Sequence, residues 1–238
     1  FLFGLFLAIP VFIVLSLLYW AVNKIWSKTP EENRTGRRAF FRTAATVVPL
    51  ATIGDSSYAA YVGQHEIEVT HESFGYTNLP PGLKDYKIVQ LSDIHVGPSI
   101  DLDDLDEILK LALVEKPNRV VITGDLIDKL AWLPQVCERL TTFAKQIPDG
   151  VDFILGNHEY HHDVNKVLEE LKHNTPMNIL VNSNIQIMGG KQPVYIAGVA
   201  YDNDREKEKR EAMIDKALSG IPDYAFVILL AHHPEFFE

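Results

Sequence analysis

The sequence predicts an α/β fold with mixed β-sheets and flanking helices, and three observations carry that prediction. Four short apolar or β-branched runs, at 86–90, 120–123, 151–155 and 226–231, each end where polar residues begin. Amphipathic stretches of helical length separate the first three runs. Beyond them, strand-like segments cluster around a single charged helix, an ordering that points to mixed rather than purely parallel sheets.

Taken in order, the elements are these. Phe1 to Ala21 is almost wholly apolar and carries no charge. At about 1.5 Å per residue it is long enough to cross a hydrocarbon core of about 30 Å, and too long for a signal-peptide core. Tyr19, Trp20 and Trp26 supply an interfacial aromatic belt. A transmembrane helix is therefore expected over 1–22. Residues 23–63 form a basic linker whose charge places it on the cytoplasmic side. Within it, Gly36-Arg37-Arg38-Ala39-Phe40-Phe41-Arg42 looks like a twin-arginine export motif. The weakly apolar run from Thr43 toward Ala60 is then either a cleaved export signal or a second membrane segment. Both send the following domain out of the cytoplasm; an interfacial segment would keep it inside.

The domain itself is expected over 64–238. His65 to Tyr76 alternates weakly and reads as a strand, and Leu79-Pro80-Pro81-Gly82 as a turn. Asp101 to Lys116 is an amphipathic helix with Leu102, Leu105, Ile108, Leu109 and Leu111 or Leu113 inward, its opening acids favoured by the helix dipole. Leu130 to Ala144 is a second helix, holding the lone Cys137 as a small buried residue. A third runs from an Asp163 N-cap to His173. Strands follow at Asn178–Val181, Ile185–Met188 and Val194–Ala197. A charged surface helix spans Glu206–Leu218, and Tyr224–Leu230 is a last buried strand.

Composition narrows the function classes. Of 22 basic and 32 acidic residues, six and three precede residue 64, leaving 16 and 29 and a net of −13 for the domain. Such a domain is a poor non-specific partner for nucleic acid, whose binding needs phosphate neutralisation, and none is expected. One cysteine excludes an internal disulfide and a thiolate metal site.

The chemistry-bearing residues stand at the four strand ends. Asp93 and His95 follow the first, Gly124-Asp125 the second, Gly156-Asn157-His158-Glu159 the third and His232-His233 the fourth. The carboxyl ends of strands are where α/β sheets place ligands. Asp93, His95, Asp125, Asn157 and His232 make a mixed oxygen and nitrogen donor set, suited to Mn, Fe, Zn or Ni rather than to Mg or Ca. One aspartate between two ions about 3.5–4 Å apart could bridge them, and such a pair can clamp a phosphate.

In this order the motifs resemble the calcineurin-like metallophosphoesterases, from about Lys87 to Glu238, and most closely the membrane-anchored or exported bacterial branch. The resemblance implies a sandwich of two mixed β-sheets flanked by helices. It implies two divalent ions, manganese favoured, that activate a hydroxide to hydrolyse a phosphoester without a covalent enzyme intermediate. Asp93 and His95 would hold one ion, Asp125 both, and Asn157 and His232 the other. His158 would face the phosphate and protonate the leaving oxygen. The anchor implies an envelope or lipid-linked substrate at the bacterial cytoplasmic membrane, with the domain outside. The family's closing Gly-His-x-His is missing, and the chain begins at Phe1, so truncation at both ends is expected, and this fragment may itself be inactive.

Two other readings are carried. One is a non-catalytic, membrane-anchored binding module on the same fold. The other is a zinc protease, since His158-Glu159-Tyr160-His161-His162 satisfies His-Glu-x-x-His. That motif works only on a helix, and here a helix is expected to begin no earlier than Asp163. His161 and His162 are expected in an exposed loop, and His233 near the substrate mouth.

Overall fold

The computed structural model describes residues 67–201 and 207–237, and before them positions 13, 16, 17, 20, 24, 43, 44, 46–55 and 58. The chain divides into two compact units, Phe1–Glu68 and Val69–Glu238. In the first unit, residues 46–55 are helical. Most of the expected membrane segment, and the whole twin-arginine-like motif, lie outside the described residues. Among those described, no helix is long and apolar enough to cross a membrane.

In place of the expected strand at His65–Tyr76, the described residues 67–76, most of them at the start of the second unit, form no regular element. Ile67 and Val69 are exposed, and the described part of the segment joins neither sheet. Two apolar residues are too few to bury a strand face, so alternation alone does not recruit one. The elements that follow are β1 (Ile88–Leu91), α1 (Leu102–Val114), β2 (Arg119–Ile122), α2 (Leu133–Ala144), β3 (Val151–Phe153), α3 (Asn157–His161), α4 (Val164–Asn174), β4 (Asn178–Ile179), β5 (Ser183–Met188), β6 (Val194–Gly198), α5 (Lys207–Leu218) and β7 (Phe226–Leu230).

Strands β1-β2-β3-β4 form one sheet and β5-β6-β7 another. The second sheet is mixed: β6 runs antiparallel to β5 and parallel to β7. The first is parallel throughout, a correction to the expectation of two mixed sheets. Its strands alternate with helices, and a crossover helix returns the chain to start the next strand in the same direction.

Side-chain alternation sorts the core into layers. Val120 and Ile122 of β2 face α1, α2 and α4, packing with Leu105, Leu109, Val136, Leu140, Val167 and Leu171. Val121, between them, faces the second sheet and meets Ile196 and Leu230. Covered on both faces, β2 is buried along its whole length, and after Arg119 it reads as a continuous apolar run. The second sheet alternates likewise: Ile228 points inward, while Ala197, Val227 and Leu229 meet Ala217 and Met213 of α5. β7 is half-buried, apart from Leu230, rather than buried as expected, because it is the last strand of its sheet.

The helix signals hold in detail. Asp101 caps α1, accepting from the amides of Asp103 (2.8 Å) and Asp104 (3.0 Å) while Asp104 accepts from the Asp101 amide, a reciprocal capping box. Leu113 rather than Leu111 packs against the core. Asp163 caps α4 through the Lys166 amide. Cys137 is buried in α2, and burial, then the charge of Glu170, push its thiol up to about 11.

Candidate metal centre

Parallel strands in register deliver the loops after β1, β2 and β3 to one end of the first sheet, and parallel pairing of β6 with β7 brings the loop after β7 alongside. The ladder continues past the strands. The His95 amide donates to the Asp125 carbonyl (2.9 Å) and the Val96 amide to that of Leu126 (2.9 Å). Within this irregular stretch Asp93, His95 and Asp125 adopt left-handed φ values of 55°, 53° and 53°. Non-glycine residues seldom sit there, and backbone strain of this kind gathers at functional sites. Each such residue turns the chain and aims its side chain away from the strand's alternation.

Two glycines let the loops close. A Cβ on Gly124, whose φ is +93°, would stand 2.5 Å from the Gly156 amide nitrogen. A Cβ on Gly156 would stand 2.5 Å from the Asp125 amide nitrogen and overlap the Asp125 carboxylate. The second and third loops therefore touch through bare backbone, and the two residues beyond, Asp125 and Asn157, become neighbours.

All five expected ligands meet there. Asp125 is buried, with Oδ2 lying 3.5 Å from His95 Nε2 and 3.5 Å from His232 Nε2. His232 Nε2 is 3.0 Å from Asn157 Oδ1. Asp93 is the outer member, exposed, 3.9 Å from His95 Nε2 and accepting from the Ser92 hydroxyl. Asp93, His95 and Asp125 are close enough to share one ion. His158 turns Nε2 to 4.0 Å from Asp125 Oδ2, and its ring stands edge-on to that of His95 at 4.3 Å.

The tautomers decide what the cluster can bind. His232 Nδ1 lies 2.8 Å from the Thr123 carbonyl, which can only accept, so Nδ1 carries a proton and, in the neutral ring, Nε2 presents a lone pair. His95 Nδ1 likewise donates to Asp128 (3.2 Å) and frees its own Nε2. Two imidazole lone pairs, a carboxylate and an amide oxygen thus face one another at 3.0–3.5 Å. Acceptors this close need either a shared proton or a cation among them. Ligands about 2.1 Å from one ion stand roughly 3.0–3.5 Å apart, so the donor set fits divalent metal in both chemistry and spacing.

One residue of the site, Asp128, was not singled out in the sequence, and a second, Glu159, was read there only as part of the third motif and of the protease-like one. Asp128 accepts from both His95 Nδ1 and His158 Nδ1 (2.6 Å), orienting both rings. Partial burial pulls its carboxyl upward, but the two histidines outweigh that and hold it below the usual carboxylate range. Its signal was its position three residues past Asp125, which brings it back to the same mouth. Glu159 is fully buried and accepts from the amides of Gly156 (2.8 Å), Asp125 (2.9 Å) and Leu126 (2.8 Å). An acid beside a predicted ligand pair reads as chemistry in a sequence; here it binds the two loops together.

That placement also decides the His-Glu-x-x-His question, for a different reason from the expected one. Residues Asn157–His161 are helical, so a helix begins before Asp163 after all. His162 already lies beyond it in extended conformation, with its ring 6.5 Å from that of His158. Glu159, the residue a protease would need as base, is turned into the backbone instead. His161 is exposed as expected, but in the last turn of α3 rather than in a loop, and His162 is half-buried, its Nε2 3.9 Å from Asp128.

Residues 86–237 match the calcineurin-like phosphoesterase family. The chain belongs to that family. Its relatives include an uncharacterized metallophosphoesterase of Campylobacter jejuni, 40% identical over 46% of this chain and 29% of its own length. A second, from Bacillus subtilis, is 28% identical over 85% of this chain and 71% of its own. A bovine transmembrane protein with metallophosphoesterase domain is 32% identical over 92% of this chain and 49% of its own. The chain thus spans well under two thirds of most of these calcineurin-like phosphoesterase relatives. The family's members are metal-using hydrolases, in keeping with an acceptor-only cluster at the strand ends.

Proposed function

We propose that this chain carries the catalytic core of a dinuclear metal-dependent phosphoesterase. The observation that carries the reading is the convergence of Asp125 Oδ2, His95 Nε2, His232 Nε2 and Asn157 Oδ1, with contacts of 3.0–3.5 Å among them. Asp93, His95 and Asp125 would hold one divalent ion, and Asp125, Asn157 and His232 a second, with Asp125 bridging. Manganese is the favoured metal. When bound, such ions activate water and draw charge from the phosphate oxygens. The protein's own residues do the rest. Asp128 keeps His158 Nδ1 protonated and its Nε2 turned into the mouth, so the protonated ring can donate from Nε2 to the leaving oxygen. Thr123 and Asp128 fix the ligand rings, so little reorganisation is needed when charge develops.

The substrate is a phosphodiester or phosphomonoester of the cell envelope or a lipid-linked phosphoester, acted on at the bacterial cytoplasmic membrane by a domain outside it. The uncharged run Phe1–Ala21 and the basic segment after it support this placement, as do relatives named as transmembrane proteins. The test is hydrolysis of bis(p-nitrophenyl) phosphate by the full-length protein. Activity should require Mn²⁺, vanish in EDTA and be lost in Asp125→Asn, while His162→Ala retains most of it. Hydrolysis that persists after EDTA would overturn the reading.

A further inference from the structure

Each histidine of the centre has two ring nitrogens, and on His95 and His158 the Nδ1 side forms a second cluster. Asp128 Oδ1 meets His158 Nδ1 at 2.6 Å and His95 Nδ1 at 3.2 Å, so the in-plane axes of the two nitrogens converge on it. His95, Asp128 and His158 offer one ligand atom each within 4.8 Å of one another, a grouping distinct from that of Asp93, His95 and Asp125. His162, extended just past α3, brings its Nε2 to 3.9 Å from the same Asp128 oxygen. All four side chains are 28% to 33% exposed, so an ion from solvent can reach them.

Three imidazole nitrogens and one carboxylate oxygen are the donors of a small tetrahedral zinc site, whose ligand atoms stand about 3.3 Å apart. The His95 contact already has that spacing; the His158 contact has to open, and the His162 contact to close, by about 0.6 Å each. Manganese ranks below zinc for nitrogen donors of this kind and suits oxygen-rich shells. We propose that His95 Nδ1, Asp128 Oδ1, His158 Nδ1 and His162 Nε2 form an inhibitory zinc site whose occupation excludes the catalytic arrangement. Zinc on Nδ1 of a neutral ring sends that ring's proton to Nε2; where His158 carries both protons, one leaves to solvent. His95 then turns an N–H, not a lone pair, toward Asp125 Oδ2 at 3.5 Å and no longer serves the ion expected between Asp93 and Asp125. His158, fixed through Nδ1, is no longer an imidazolium with a proton to give. The inhibitory sense of the site rests on the phosphoesterase reading; its capacity for zinc does not.

The test has two arms, both on the full-length protein. In the first, Zn²⁺ is titrated into Mn²⁺-loaded protein while hydrolysis of bis(p-nitrophenyl) phosphate is followed. Zinc should inhibit, and His162→Ala should need about tenfold more zinc, or above, for the same inhibition. Equal zinc sensitivity of the two proteins overturns the proposal, because zinc would then merely replace manganese among ligands that do not include His162. Insensitivity of the wild type to zinc overturns it as well. In the second arm, zinc binding after EDTA treatment is measured by equilibrium dialysis for Asp125→Asn and for Asp125→Asn combined with His158→Ala. His158 is a ligand to neither ion of the catalytic arrangement. Loss of one zinc equivalent on its removal therefore supports the site, and an unchanged zinc count overturns it. If Asp125→Asn folds poorly, the first arm decides alone. If the Mn²⁺-loaded wild type hydrolyses nothing, the phosphoesterase reading fails, and the second arm still decides whether zinc binds here.

Discussion

At the scale of single residues, the site is governed by where protons sit. Asp128 touches no other carboxylate of the cluster, yet it sets the tautomer of two histidines through Nδ1. Asp128→Asn keeps the shape but offers an amide that can donate where it must accept, which frees either ring to turn or to take its proton on Nε2. Loss of such a supporting carboxylate typically lowers metal affinity or activity by about 10–100-fold. The expected outcome is a fall of that size in Mn²⁺ affinity by calorimetry, with the thermal midpoint in EDTA little changed because Asp128 is only half-buried. Unchanged affinity would show that the rings are oriented by packing alone. The candidate ligands were legible in the sequence because an acid or a histidine after an apolar run is conspicuous. Asp128 and Glu159 were not, because nothing local distinguishes a carboxylate that orients an imidazole, or one that accepts three amides, from one that binds metal.

At the scale of elements, the centre is a junction of loops, and Glu159 is what joins them. Its carboxylate accepts from the Gly156 amide, one of the orphans at the start of α3, and also from the amides of Asp125 and Leu126 in the loop after β2. Glu159→Ala leaves three buried N–H groups without an acceptor, at about 1–3 kcal/mol each before relaxation or water entry. The expected result in urea unfolding, measured in EDTA, is a loss of at least about 3 kcal/mol; a change within about 0.5 kcal/mol, the range of an ordinary surface substitution, would mean that water replaces the carboxylate freely. Glu159→Gln should fall between, keeping one acceptor oxygen and turning an NH₂ group toward donors. Long amphipathic patterns such as α1 and α4 were readable to within a residue or two, caps included, because period and cap chemistry agree there. Short elements were not. The five-residue α3 has no room for a period, and its start is set by Glu159 reaching back to the Gly156 amide. The segment before Tyr76 showed the opposite error, alternating in sequence without the apolar area to join a sheet.

At the scale of the whole domain, the same acceptor cluster links metal to stability. Asp125, His95, His232 and Asn157 are pressed together by two sheets and four loops, so without a cation the fold must hold their lone pairs close together or take up a proton among them. The unfolded chain has no such constraint and no preformed site. A metal bound only by the native state stabilises it by RT ln(1 + [M]/Kd), about 2.7 kcal/mol at a hundred times Kd. Cys137 provides a reporter outside the acceptor cluster: it is buried among the helices that cover the first sheet, and burial pushes its thiol up to about 11. The sign follows from that shift. The neutral thiol favours the fold below the pKa of the unfolded thiol, and the contribution is lost as pH rises toward the native value. At pH 8 a thiol reagent should therefore modify the open form and spare the native one. With opening fast relative to modification, labelling of the full-length protein in EDTA should slow about a hundredfold when Mn²⁺ reaches a hundred times its Kd. Labelling that responds to urea but ignores Mn²⁺ would mean that the folded domain does not hold the ion, and the convergence of acceptors would then need another counter-charge.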